Sequence, residues 1–231
     1  MTSRISSSIA ALGMVAAPAV MKFAARPTSE LSTRDASRDA GRGRADADAE
    51  TDPSQQRCGV ERWSIKVGDD GEARDVDLHQ AHETTIDALR GLPRTEDSDT
   101  DVRILPTEES VFVVRNVKLA QYKREADSDY HLVLRDAHGN TMIAEIPEPG
   151  CLSQQSPWRS QVRAVRAAFD DQHEASGRMK SASDVVSLVG VAFFDVLHGQ
   201  AGVAPNGIEL HPVLEICFGR DCRLDLAPRA P

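Results

Sequence analysis

The chain has 231 residues, a formal net charge of −9 at neutral pH and only 4% aromatic residues. Its length allows one or two domains, and its acidic balance argues against a protein held on DNA chiefly by neutralising phosphates. The scarcity of aromatics leaves few platforms for stacking bases.

Met1–Ala25 carries one early base, Arg4, ahead of an apolar and small-residue run at Ile9–Met21 that contains Ala17-Pro18-Ala19. That is the layout of a cleavable signal peptide, and the run is short for a bilayer span, so no stable span is expected after its removal. Residues 26–57 are Ser, Arg, Asp, Ala and Gly with almost no aliphatic side chains. They cannot bury enough apolar surface to offset their ordering entropy, which predicts a disordered linker. A folded domain is expected over 58–222, a flexible tail over 223–231, and a secreted or periplasmic location. The four cysteines form no C-x-x-C pair. In an exported protein an even count predicts disulfides, here Cys58–Cys151 and Cys217–Cys222, with buried free thiols as the alternative.

Trp63–Val67 alternates like a short strand, with Trp63 expected in the core, and Thr84 is placed to cap a short helix that stops at Gly91 and Pro93. Asp97, Asp99, Asp101 and Glu108 share the spacing of a calcium loop. Val102 occupies the position where such a loop needs glycine, so a solvated acidic loop is expected. Ser110–Tyr122 is apolar on both parities, the mark of a central or strongly curved strand. Asp129–Pro147 alternates on either side of Asp136–Asn140, which predicts a β-hairpin. Ser156 as N-cap and Pro157 at the first position begin a helix whose stripe is Trp158, Val162, Val165 and Phe169. Val185–Val196 reads as a buried strand kinked at Gly190. Gly207–Phe218 alternates with Pro212 inside it, which implies an edge strand.

Three strands, a helix and two strands give a mainly β fold with helices. The expected architecture is an OB-like five-stranded barrel (β-β-β-α-β-β) with an N-terminal strand and helix as an extension.

The segments ERW (Glu61–Trp63), DYHLVL (Asp129–Leu134), TMIAEIP (Thr141–Pro147) and HGQAGVAPNGIELHPVLEI (His198–Ile216) resemble an uncharacterised family of bacterial exported proteins. The resemblance runs from about Cys58 to about Phe218. It implies export and the domain boundaries, and transfers no activity, cofactor or catalytic residue.

The densest polar cluster in the sequence is Asp195, His198, Asn206, Glu209 and His211, with Glu209 and His211 on one face of a strand. Asp129 and His131 open the hairpin, and if His131 and Glu145 lie opposite they form a cross-strand polar pair. The binding candidates are therefore His198, Asn206, Glu209, His211, Asp129 and His131. An alternative makes His198, Glu209 and His211 the metal ligands of a hydrolase or nuclease, and the structural alternative spends these residues on a Gly-rich loop and a wet sheet face. No phosphate loop or nucleophile elbow is present. The sequence assigns no cofactor and no catalytic residue. It points to a non-catalytic binding module for an unidentified protein or small molecule, with single-stranded nucleic acid on the sheet face a less favoured partner.

Overall fold

The computed structural model describes residues 58–94 and 101–224. The expected signal peptide and linker, most of the tail, and Asp97 and Asp99 lie outside them. Its elements are α1 (Trp63–Val67), β1 (Ala81–Thr84), α2 (Ile86–Arg90), β2 (Val111–Arg124), β3 (Tyr130–Arg135), β4 (Thr141–Ile146), α3 (Arg159–Asp170), β5 (Lys180–Ser181), β6 (Val185–Phe194) and β7 (Ile208–Phe218).

Strands β2, β3, β4, β7 and β6 are neighbours in that order, and β6 returns to β2, so five strands close a barrel. The β4–β7 pairing is parallel and the others antiparallel. With α3 between β4 and β6, this is the OB-like barrel expected from the sequence. β2 closes it by serving two partners. Its first half pairs with β6 and its second half with β3, with register shifts between Val114 and Val117 and between Leu119 and Gln121. Such bulges bend a strand and increase its twist.

The alternation of side chains sorts the barrel into two faces. Leu132, Leu134, Met142, Ala144, Ile146, Ile208 and Leu210 fill the interior with Phe169 and Val165 of α3. A second cluster covers Val111, Val113, Val189 and Val191 with Val67, Ala73, Val76, Trp158 and Val162. The apolar stripe of α3 thus divides, its first turns serving the outer layer and its later turns the barrel.

Several local expectations are corrected. Trp63–Val67 is a helix, not a strand. The residue ahead of it, Arg62, takes φ 47° and is drawn into a buried pair with Glu108, so long-range contacts override the local alternation. Trp63 is half-buried rather than core. The second helix is capped by Thr85, whose hydroxyl accepts from the Ala88 N–H. The third begins at Arg159 with Trp158 at its N-cap, and Ser156 holds the turn ahead of it, donating its hydroxyl to Val67 O and accepting from Trp158 N–H. Finally, β7 lies between β4 and β6 and is not an edge. Pro212 is tolerated there because the β6–β7 register slips on both sides of Gly190. A Cβ on Gly190 would lie 2.9 Å from Leu210 Cβ and from Pro212 O, so the bulge depends on glycine. Glu108 is fully buried with Arg62 and is not part of a solvated acidic loop.

Both cysteine pairs are bonded, Cys58–Cys151 across 93 residues and Cys217–Cys222 across five. Two disulfides fit maturation in an oxidising compartment. Among the described residues no helix is long and apolar enough to cross a membrane.

Candidate functional site

On β3, β4 and β7 the parity opposite the barrel interior carries His131, Glu145, Glu209 and His211. His131 pairs with Glu145 across the β3–β4 hairpin. Ile143 pairs with Glu209 in the parallel β4–β7 register, which brings Glu145 alongside His211. A sheet face expected to be wet is instead sealed. His131, Glu209 and His211 are 1–2% exposed and Glu145 8%.

Each histidine is surrounded by acceptors. His131 Nδ1 lies 3.0 Å from Glu145 Oε1 and 3.4 Å from Glu125 Oε1, and its Nε2 lies 2.9 Å from the carbonyl of Ala201. A carbonyl requires Nε2 to donate. Gly202 permits this approach: its φ is +84°, and a Cβ there would sit 2.5 Å from Val133 Cγ1. His211 Nδ1 lies 3.1 Å from both Glu145 Oε2 and Glu209 Oε1, while Nε2 faces Asp129 Oδ2 at 3.5 Å. Asp129 is held by its other oxygen, which accepts from Glu148 N–H at 2.9 Å.

Lys66 of α1 reaches the same region. Its Nζ is 3.1 Å from Asp195 Oδ1 and 5.1 Å from the centre of the Phe193 ring. The helix is fastened by Arg62, which makes a two-point ion pair with Glu108 and donates to the carbonyls of Phe194 and Val102.

Burial and crowding displace the protonation equilibria. Burial raises Glu209, and the neighbouring Glu145 charge adds to it, bringing its pKa to about 7. Burial also lifts Asp129 to about 6 in spite of the His211 ring. Burial works against the charged forms of His131 and His211, but their carboxylate partners outweigh it and hold both above the ordinary histidine value. For Glu145 burial pushes upward, and the two imidazole hydrogen bonds overcome it and hold this carboxyl below its usual range. Lys66 is likewise raised, because Glu209, Asp195 and Glu145 outweigh its burial.

Above this cluster opens a cleft of about 360 Å³, lined by Cys58, Gly59, Val60, Glu61, Trp63, Lys66, Glu125, Ala126, Asp127, Glu145, Asp195, His198 and Gln200. The Cys58–Cys151 bond pins the segment that forms one wall. Burial raises Asp127, and the charges of Glu145 and Glu125 raise it further, the mark of a cleft with excess negative charge. Among the described residues Glu61 and Asp127 enter no ion pair.

The structure brings together Asp129, His131, Glu209 and His211 of the residues singled out in the sequence. His198 stands on the exposed rim of the cleft and contacts Gln200. Asn206 donates to the carbonyls of Leu89 and Leu92 and accepts from Ile208 N–H, so it ties its loop to the end of α2. The trio His198, Glu209 and His211 is therefore not assembled around one point. Instead, Glu125, His131 and Glu145, and separately Asp129, Glu145 and His211, each offer one ligand atom within 4.8 Å of the others. Sequence reasoning passed over Lys66, Glu125 and Asp127. In the sequence Lys66 is a lone charge between Ile65 and Val67.

Neither tyrosine is placed to stack a base. Tyr122 and Tyr130 are buried against Phe169.

Comparison of the chain with protein-family models and with curated proteins returned no match, so its functional reading rests on the geometry of this cleft and the charges beneath it.

Proposed function

We propose that the protein is an exported, non-catalytic binding module, secreted or periplasmic, whose cleft takes a positively charged group such as the side chain of a lysine or arginine. One observation carries this reading. Among the described residues five carboxylates (Glu61, Glu125, Asp127, Glu145 and Asp195) and the Trp63 ring line the cleft, with Lys66 as the one lysine or arginine. Lys66 is committed to Asp195. A cation entering there would relieve the crowding that raises Asp127, and an indole face attracts cations within about 6 Å of its ring. The leader-like pattern at Met1–Ala25 and the two disulfides support export.

Titration of tryptophan fluorescence with N-acetyl-lysine amide and N-acetyl-glutamate amide tests the reading. Trp158 is fully buried, so Trp63 is the responsive reporter. The lysine compound is expected to change the emission and the glutamate compound to leave it unchanged. Asp127→Asn should weaken the response. Equal responses to both compounds, or none, would reject the proposal.

A further inference from the structure

We propose that Asp129, Glu145 and His211 form a binding site for a divalent metal ion of the zinc type beneath the cleft. The inference stands independently of what the cleft binds.

The first support is a pair of orphaned atoms. Asp129 Oδ2 and His211 Nε2 are both sealed from solvent, and neither has a hydrogen-bond partner. Their mutual contact is a long ion pair of 3.5 Å that falls short of a hydrogen bond. Buried polar atoms are rarely left unpaired without a reason. Two ligands about 2.0–2.2 Å from a tetrahedral zinc lie roughly 3.3–3.6 Å apart, so the observed gap suits an ion shared between them. Glu145 brings a third ligand atom within 4.8 Å of these.

The second support is the other side of the imidazole. His211 Nδ1 meets Glu209 Oε1 at 3.1 Å; Glu145 Oε2 lies 3.1 Å from the same nitrogen and would turn from it to join the ion, leaving Glu209 as the acceptor. A metal-binding histidine usually donates its second N–H to a carboxylate, which fixes the tautomer and makes the coordinating nitrogen more basic. Here that donation leaves Nε2, 3.5 Å from Asp129 Oδ2, as the nitrogen free to coordinate. The Asp129 carboxylate is oriented in the same way by Glu148 N–H.

Charge points in the same direction. Asp129, Glu145, Asp195 and Glu209 face Lys66, His131 and His211. Carboxylates thus outnumber the amine and the imidazoles of the cluster by four to three. Glu145 lines the cleft as well as the cluster, which gives the ion a way in. All four cysteines are in disulfides, so the donors are nitrogen and oxygen only. The second trio, Glu125, His131 and Glu145, contains no orphaned atom. His131 is bonded at both nitrogens and Glu125 pairs with Lys123 at 2.9 Å.

The test uses the full mature chain without a histidine tag, dialysed against a chelator and titrated with zinc chloride by calorimetry. One equivalent should bind, with a dissociation constant on the order of 1 μM or below. Asp129→Asn keeps the shape and should weaken binding by at least about 10-fold. Glu125→Gln and His198→Ala should leave it unchanged. If Asp129→Asn does not fold, Glu209→Gln serves instead, with a loss of about 10-fold expected. Cobalt loading should give the visible absorption of a low-coordinate nitrogen–oxygen site without a thiolate band. No uptake by the parent chain, or uptake lost in Glu125→Gln or His198→Ala and kept in Asp129→Asn, would overturn the assignment.

Discussion

Arg62 and Glu108 meet through two hydrogen bonds of 2.8 and 2.7 Å in a pocket closed to solvent, 46 residues apart in sequence. Glu108 also accepts from the N–H groups of Ile104 and Phe194, so one carboxylate ties α1, the loop before β2 and the end of β6. Removing one member of a buried pair strands the other, which costs about 3–5 kcal/mol. Glu108→Gln is therefore expected to lower unfolding stability by several kcal/mol in urea titration. The double variant Glu108→Gln/Arg62→Met should lose less than the two single losses combined. Additive losses would show that the pair is not coupled.

The cluster beneath the cleft predicts an unusual pH profile for the metal-free protein. Glu209 and Asp129 are raised to about 7 and about 6, so the folded state binds more protons than the unfolded chain between about pH 4 and 7, and stability falls as pH rises. Raised values at His131 and His211 act in the same direction. Their contribution is complete below the ordinary histidine value and is lost as pH climbs through the folded values. Glu145 is lowered, so its contribution exists above the ordinary carboxylate value and is lost as pH falls. Lys66, Glu125, Asp127 and Asp195 complete the surroundings of these groups. With chelator present, the melting temperature should peak at about pH 5 and decline toward pH 8. A profile rising from pH 5 to 8 would contradict these assignments.

The Cys58–Cys151 bond closes 93 residues of chain, and a loop of about 100 residues is constrained by roughly 4–5 kcal/mol in the chain-entropy model. Cys58→Ser/Cys151→Ser should be destabilised by up to that amount and should lose the ordered wall formed by Cys58–Glu61. Cys217→Ser/Cys222→Ser closes only a short loop and should cost less. Denaturant titration of both variants checks the ranking.

Gly202→Ala combines a backbone conformation that side chains avoid with a clash against Val133. A cost of about 1–3 kcal/mol is expected, with displacement of the Ala201 carbonyl from His131. Hydrogen exchange in residues 198–206 would report it, and unchanged protection with unchanged stability would refute the role assigned to this glycine.

The barrel was legible because its signals are periodic. The hairpin from Tyr130 to Ile146, the doubly apolar β2 and the stripe ending at Phe169 each carry their own pattern. The errors fall where distant partners decide. Trp63–Val67 alternates like a strand, but Arg62 is captured by Glu108 and the segment coils. Pro212 reads as an edge residue unless the bulge opposite Gly190 is known. For the site, Glu209 and His211 on one parity could be read from β7 alone. Their burial could not, because it depends on α1 being laid over them. Lys66, Glu125 and Asp127 come from segments with no shared sequence pattern and meet only through the tertiary fold.

The central claim is that the cleft over Glu145 and Asp195 receives a cation. Mapping amide and indole chemical shifts of the isotopically labelled protein during titration with N-acetyl-arginine amide tests it most directly. The account predicts saturable shifts confined to Gly59, the Trp63 indole, Lys66, Asp127 and Gln200, weakened by added salt. Shifts scattered elsewhere on the barrel, or an undisturbed cleft, would contradict it.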